Sequence, residues 1–221
     1  MILQSDPAWA AARLGFVTAS RIADMMAKTK SGPSTSRANY AAELIAERLT
    51  GTPGDRYTNA AMQWGIDTEP HARAAYEFHH DVSCGPAAFI THPTLEWAAA
   101  TPDGFVVEDG LVEFKCPNTA THIDTLLSAA IPEKYRMQMQ WQMACSARAW
   151  CDFVSFDPRL PEEMRMFVKR IKRDDDMIGS IEKEVTLFLG EISDTIARLR
   201  RSYGDPSPTR AALVASLETE K

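Results

Sequence analysis

An acidic residue inside an apolar run limits this chain more than any other feature. Glu113 stands in Leu111-Val112-Glu113-Phe114, where an unpaired carboxylate would be expensive to bury. Side chains alternate faces along a strand, so Lys115 shares the side of Glu113 while Phe114 points to the other. Upstream, Thr101-Pro102-Asp103-Gly104 leads into Phe105-Val106-Val107. Asp109-Gly110 is a dipeptide favoured in tight turns with positive φ, and the flanking residues suit strands. The pattern predicts a hairpin that returns Asp103 to within reach of Glu113. Two carboxylates converging with a main-chain carbonyl form an oxygen-rich pocket suited to Mg²⁺ or Mn²⁺. A lysine beside it can orient or help deprotonate a metal-activated water. The residues alone allow this metal site or a plain Glu113–Lys115 ion pair.

The rest of the chain reads as helices and strands around that hairpin. Asp6-Pro7 suits the start of a short helix carrying Trp9 and Arg13 and ending near Gly15. Thr18 is placed to cap a second helix with Ile22, Met25 and Met26. Arg13, the amides of that helix start and the Ser20 hydroxyl would make an anion site; the plainer alternative is surface charge and an ordinary helix residue. The polar stretch 28–36 reads as a loop. Helices are expected over 40–49 and roughly 60–79, with Pro70 kinking the second or restarting it. Glu69 precedes Ala72 and Tyr76 on one side of that helix, so it sits beside the core-facing stripe or caps a helix beginning at Pro70. Met62 has the spacing of a core residue.

Phe89 to Ala100 reads as strand, turn and strand. A helix is expected over 124–130 and another over 133–148, opened by Pro132. On the latter, Tyr135, Gln138 and Gln142 share one face, opposite a stripe of Met137, Trp141, Ala144 and Cys145. Strands over 150–156 and 166–172 precede a long helix from Asp174, whose apolar residues from Ile178 to Leu199 recur at steps of three and four. Gly204-Asp205-Pro206 breaks it.

Composition narrows the class. A chain of 221 residues, 45% hydrophobic, is expected to form one domain over 1–204, with a tail at 205–221 of unassigned role. No apolar run approaches the ~20 residues of a membrane span, which favours the cytoplasm. Cys84, Cys116, Cys145 and Cys151 lack zinc spacing and read as free thiols. The net charge of −6 counts against DNA binding, but 13–37 holds five cations and one anion.

Several blocks together carry a resemblance. Trp9 with Arg13-Leu14-Gly15 and Thr18-Ala19-Ser20 comes first, then Trp64-Gly65, Glu69 and Ala72-Arg73. Pro102-Asp103-Gly104, Glu113-Phe114-Lys115-Cys116-Pro117, Tyr135 with Gln138 and Gln140, and Asp157-Pro158-Arg159 follow. In this order they resemble the PD-(D/E)XK nucleases and, within them, the phage λ exonuclease and YqaJ-type alkaline exonuclease family. The resemblance implies an α/β fold of the restriction-endonuclease-like class, with a mixed central sheet flanked by helices. It implies that Asp103, Glu113 and the Phe114 carbonyl hold metal, that Glu69 helps with a second ion, and that Lys115 positions the attacking water. It places Tyr135 and Gln138 in the active site, and Arg13, Ser20, Thr101 and Gln138 near the 5′-phosphate. Met62 matches a residue that wedges the duplex end.

The implied activity is processive 5′→3′ hydrolysis of double-stranded DNA ends with two Mg²⁺ ions, Mn²⁺ substituting. It would release mononucleotides and leave 3′ single strands. The implied setting is a homotrimer in a bacterial host's cytoplasm, phage- or prophage-encoded, working with a single-strand annealing protein. Two rivals share many of these residues: a PD-(D/E)XK endonuclease that cuts internally, and a noncatalytic module that binds DNA ends.

Overall fold

The hairpin around Glu113 lies inside a five-stranded sheet, and the alternation along its second strand decides what covers each face. The computed structural model describes residues 8–30, 32–54, 59–86 and 88–204. α1 (Ala8–Ala12) leads to β1 (Val17–Thr18) and, after one 3₁₀ turn, α2 (Ile22–Met26). β2 (Lys28–Thr29) and β3 (Gly32–Pro33) precede α3 (Thr35–Thr50) and α4 (Ala60–His80). Next come β4 (Cys84–Pro86), β5 (Ile90–Thr91), β6 (Ala98–Ala100) and the hairpin β7 (Gly104–Val106) and β8 (Gly110–Lys115). α5 (Thr119–Ser128) and α6 (Glu133–Ser146) lead to β9 (Trp150–Phe156), β10 (Met166–Lys172) and α7 (Asp175–Tyr203).

The main sheet runs β10-β9-β8-β7-β4. β8 pairs parallel with β9, and its other neighbour, β7, is antiparallel. A parallel pair needs a crossover, supplied by α5 and α6. Val112 and Phe114 of β8 pack with Val154 of β9 against Ala72 and Tyr76 of α4. Leu111, with Cys151 and Phe153, packs against Met139 and Met143 of α6. Glu113 and Lys115 therefore face α6, as the period of two requires. A second, smaller sheet, β1-β6-β5, ties the N-terminal segment to the strand just before Thr101.

From Gln138 to Cys145, α6 is buried around its whole circumference. Trp141, Ala144 and Cys145 turn from the main sheet into a cluster with Tyr40, Leu44, Phe188 and Ile192. Trp141 also donates to the Ala99 carbonyl at 3.1 Å and stacks on His92. α7 contributes Ile178, Ile181 and Val185 to the same cluster, and burying each such side chain is worth roughly 1.5–3 kcal/mol. Asp152 of β9 points to the α4 face, where Tyr76 donates to it at 2.7 Å and Arg170 makes two bonds of 2.8 Å. All four cysteines are free. Among the described residues no helix is long and apolar enough to cross a membrane.

The strands over 150–156 and 166–172 and the helix after Asp174 fall where the periodicity put them. Several expectations need correction. Within the stretch 28–36, β2 and β3 form an antiparallel ribbon, with Lys28 opposite Pro33 and Thr29 opposite Gly32, and Thr35 and Ser36 already belong to α3; residue 31 is not described. α3 and α5 begin about a turn earlier than expected because Ser34 and Asn118 cap them, accepting from Arg37 N at 3.2 Å and Thr121 N at 2.9 Å. Pro70 lies inside a continuous α4, so Glu69 caps nothing. The Asp6-Pro7 helix start and the 205–221 tail lie outside the described residues.

The hairpin turn also differs. Val106 pairs with Gly110, so the loop is Val107-Glu108-Asp109, and the positive φ of 47° falls on Val107. Arg148 holds this loop by donating to the Val107 carbonyl at 2.8 Å and to the Glu108 carbonyl. Gly110 is needed for space instead: a Cβ there would lie 2.1 Å from the Trp150 ring, which the Arg170 guanidinium also covers, 3.4 Å from the ring centre. Gly110→Ala should lower stability by about 1–3 kcal/mol through overpacking. Val107→Asn, which tolerates positive φ better than a β-branched residue, should raise it by about 1 kcal/mol. Thermal denaturation of the two variants reads both signs; equal shifts would refute this account of the turn.

Candidate active site

The motif Pro-Asp-Gly is shaped by what approaches it. Arg73, one turn after Glu69 on α4, donates from Nη2 to the Asp103 carbonyl at 2.5 Å and lies over the Phe114 ring. A Cβ on Gly104 would stand 3.1 Å from the same guanidinium and 3.0 Å from Val112. Glycine thus lets Arg73 fix the backbone of Asp103, while the Asp103 carboxylate accepts from Phe114 N at 2.7 Å. Both ends of the residue are held, and its carboxylate lies beside β8.

Glu113 is almost wholly buried and fully hydrogen-bonded. Its Oε1 accepts from Lys115 Nζ and from Gln138 Nε2 at 2.6 Å, and its Oε2 accepts from Gln142 Nε2 at 2.6 Å. Gln138 and Gln142, which the helical spacing put on one face, are both buried because that face of α6 serves an interior carboxylate. Lys115 also lies 5.1 Å from the centre of the Tyr135 ring, which stacks on Phe153.

These side chains open on one cleft of about 240 Å³. Glu69, Asp103, Glu113, Phe114, Lys115 and Gln138 form one part of its wall; Trp9, Arg13, Thr18, Ser20 and Thr101 form the other. Arg13 lies over the Trp9 ring and donates to the Thr18 hydroxyl at 3.3 Å, and Trp9 Nε1 donates to the Thr101 hydroxyl at 3.3 Å. Thr18 occupies the cap position without a capping bond; its hydroxyl serves Arg13 instead. Ser20 is exposed in the short turn that follows. Two expected site residues stand back from the cleft. Tyr135 reaches it through Lys115. Met62, half exposed rather than core, lines an adjoining cleft of about 250 Å³ that shares Arg13 and Thr18. A broader depression of about 610 Å³ near Arg136 and Asp174 lies away from these acids.

The electrostatics are those of crowded negative charge. Burial, then the charges of Glu113 and Glu69, push the Asp103 carboxyl well above the usual range, with Lys115 opposing. Burial and Glu113 raise Glu69 as well, against Arg73 and Lys115. Burial works against the Lys115 ammonium, but Glu113 and Asp103 more than compensate and hold it charged. Burial beside Glu69 and Asp103 pushes the Cys116 thiol up to about 12, so it is inert. Among the described residues no three His, Cys, Asp or Glu side chains stand close enough to ligate one ion as they are. The donor set itself, three carboxylates and a main-chain carbonyl with Asp103 short of positive charge, suits a hard divalent cation.

Arg73 and Gln142, which hold the Asp103 backbone and Glu113, are among the site residues that sequence reasoning did not assign, as are Trp9 and Thr18 of the cleft wall. Arg73 and Gln142 each follow an assigned residue by four on the same helix, Glu69 and Gln138, and that spacing is the signal that could have found them.

A profile described as a YqaJ-like viral recombinase domain matches residues 8–149. An alkaline exonuclease from Laribacter hongkongensis, LHK-Exo, is similar at 52% identity, covering 88% of this chain and 96% of that one, with a TM-score of 0.82. The structure of LHK-Exo in complex with dAMP matches over the same shares at 52% identity, with a TM-score of 0.83. A phage-related exonuclease from Haemophilus somnus 129PT has the same fold at 17% identity, over 83% of this chain and 96% of that one, with a TM-score of 0.68. No curated protein matches.

The geometry separates the two central acids by their effect on folding. Glu113→Gln takes the carboxylate from Lys115 and sets an amide against two others, so it should lower stability by about 1–3 kcal/mol. Asp103→Asn keeps an acceptor for Phe114 N–H and removes a crowded charge, so it should melt no lower than the unaltered protein. Metal-free thermal denaturation at neutral pH measures both, and a destabilised Asp103→Asn would contradict the crowding.

Proposed function

Because this chain belongs to the family of YqaJ-like viral recombinase domains, we propose that it is an exodeoxyribonuclease that hydrolyses double-stranded DNA from its 5′ ends. The observation that carries the reading is the convergence of Asp103, Glu113 and Lys115 in one cleft with Arg13, Ser20 and Thr101. The first group is equipped for phosphodiester hydrolysis, and the second adds a cation and hydroxyls that suit a terminal phosphate. The similarity to an alkaline exonuclease, solved with the mononucleotide dAMP, supports the same reading.

Asp103, Glu113 and the Phe114 carbonyl would hold Mg²⁺ or Mn²⁺, with Glu69 assisting at a second ion. When bound, such ions activate water and neutralise charge on the attacking and leaving oxygens. The protein's own groups do the positioning. Lys115, kept charged by Glu113 and oriented over Tyr135, directs the attacking water. Arg13, Ser20 and Thr101 bind the 5′-phosphate, and Gln138 lies between that phosphate and Glu113. Met62, beside the adjoining cleft, meets the end of the duplex. Holding the reacting groups in this geometry supplies much of the remaining rate.

The described residues act as one catalytic domain. The product is 5′-mononucleotide and a 3′ single strand, which suits a partner that anneals single strands in the cytoplasm of a bacterial host. Processive digestion is assigned to a homotrimer that encloses the DNA; sedimentation as a monomer at micromolar concentration would refute that assembly.

A linear duplex labelled at each strand end, with 5′-phosphate or 5′-hydroxyl, tests the activity beside closed circles. Metal-dependent release of 5′-label as mononucleotide is expected, faster from the phosphorylated end, with circles intact. Cut circles would identify an endonuclease, and no cleavage with either metal a binding module. Asp103→Ala and Glu113→Ala should each lower turnover by at least ~10³, given metal contributions of several kcal/mol. Near-normal digestion by folded Asp103→Ala would refute the site.

A further inference from the structure

Gln142 does not line the cleft, yet it holds the residue at the cleft's centre. Its side chain is fully buried, and its Nε2 donates to Glu113 Oε2 at 2.6 Å. Its own Oε1 is buried with no hydrogen-bond partner. The reverse orientation would set oxygen against carboxylate, so the N–H must face Glu113. An orphaned interior carbonyl is unfavourable, and the bond to Glu113 is what this amide achieves in exchange. The partners of the other oxygen, Oε1, are Lys115 and Gln138, and both line the cleft. Glu113 is therefore divided: one oxygen belongs to the cleft and the other to the interior. Gln140, between the two glutamines, is turned elsewhere, donating to the Lys172 carbonyl and accepting from Asp174 N.

We propose that Gln142 is a positioning residue that sets metal specificity: by holding Oε2 toward the interior it presents a cation with Oε1 alone, the oxygen whose donors Lys115 and Gln138 line the cleft and would give way to the ion, and so favours Mg²⁺ and Mn²⁺ over Ca²⁺. The inference rests on the metal-dependent reading above. Mg²⁺ needs compact octahedral coordination, whereas Ca²⁺ takes six to eight oxygens and readily accepts a carboxylate through both. Occupying Oε2 withdraws the second oxygen that the larger ion would use. Gln138 cannot have this effect, because it shares the oxygen that already faces the cleft.

Titration of the full-length protein with Mn²⁺ in the absence of DNA, followed by electron paramagnetic resonance with Ca²⁺ as competitor, tests the proposal without using turnover. Partners of a metal ligand are typically worth about 10–100-fold in metal affinity, so Gln142→Met should raise the Ca²⁺-to-Mn²⁺ affinity ratio at least ~10-fold. Gln138→Met should change both affinities together and leave the ratio. A thermal melt by circular dichroism establishes that each variant is folded. Should Gln142→Met not fold, Gln142→Asn, one methylene short of Glu113, carries the same expectation. An unchanged ratio in a folded Gln142 variant, with Mn²⁺ bound by the unaltered protein, overturns this inference and leaves the nuclease reading intact. No Mn²⁺ binding by the unaltered protein overturns the metal site itself.

Discussion

Glu113 is a carboxylate on the central part of a sheet, between two paired strands and under a helix. Nothing in that position allows water to solvate it, so its neighbours must supply donors. Lys115 provides charge and Gln138 and Gln142 of α6 provide N–H groups, and this need explains why the buried turns of that helix carry these two polar residues. α6 also has to satisfy the apolar clusters on its other faces, through Trp141 toward α3 and α7 and through Met139 and Met143 toward β8 and β9. The helix is thus fixed in rotation by three demands at once. A slip of one residue would put methionine against Glu113 and an amide into the core.

The opposite face of the sheet is organised by a second buried carboxylate with a different task. Asp152 is answered by Tyr76 and by both nitrogens of Arg170 that reach it, so both of its oxygens are held. The bond from Tyr76 fastens α4 to β9, and Arg73 fastens α4 to the Asp103 backbone. Glu69 lies on the same helix, so two polar contacts set its distance from the motif acids. One carboxylate anchors the helix while the other borders the cleft, and the contrast lies in where their donors stand: Lys115 and Gln138 line the cleft, whereas Tyr76 and Arg170 lie on the opposite face of the sheet.

Much of this could be read from the chain. The two-residue alternation in β8 placed Glu113 and Lys115 together, and the steps of three and four after Asp174 gave α7. Both are local patterns, repeated often enough to survive single exceptions. What escaped depended on distant partners. Gly110 looked like a turn residue because its real constraint, the Trp150 ring, lies 40 positions away. Gln142 was placed on the right face of its helix but given no role, because polarity says nothing about a carboxylate on another element. The starts of α3 and α5 were missed because Ser34 and Asn118 read equally well as loop residues, and only the bond each accepts distinguishes a cap. The cleft residues Arg13, Ser20 and Thr101 were brought to the acids by β1 pairing with β6, a contact that no periodicity announces.

The parallel pairing of β8 with β9 has a consequence for how the protein is made. Antiparallel β7 and β8 can close as soon as both leave the ribosome, bringing Asp103 close to Glu113. The burial of Glu113 must wait for the crossover through α5 and α6 and for β9 to dock beside it, a closure across many residues that is slow relative to a hairpin. Until α6 arrives, the motif acids are together but unhoused, with no glutamine to direct either oxygen. A nascent chain therefore carries the residues of the cleft well before it has the cleft, and competence is gained only when synthesis has passed the middle of the sequence by a wide margin.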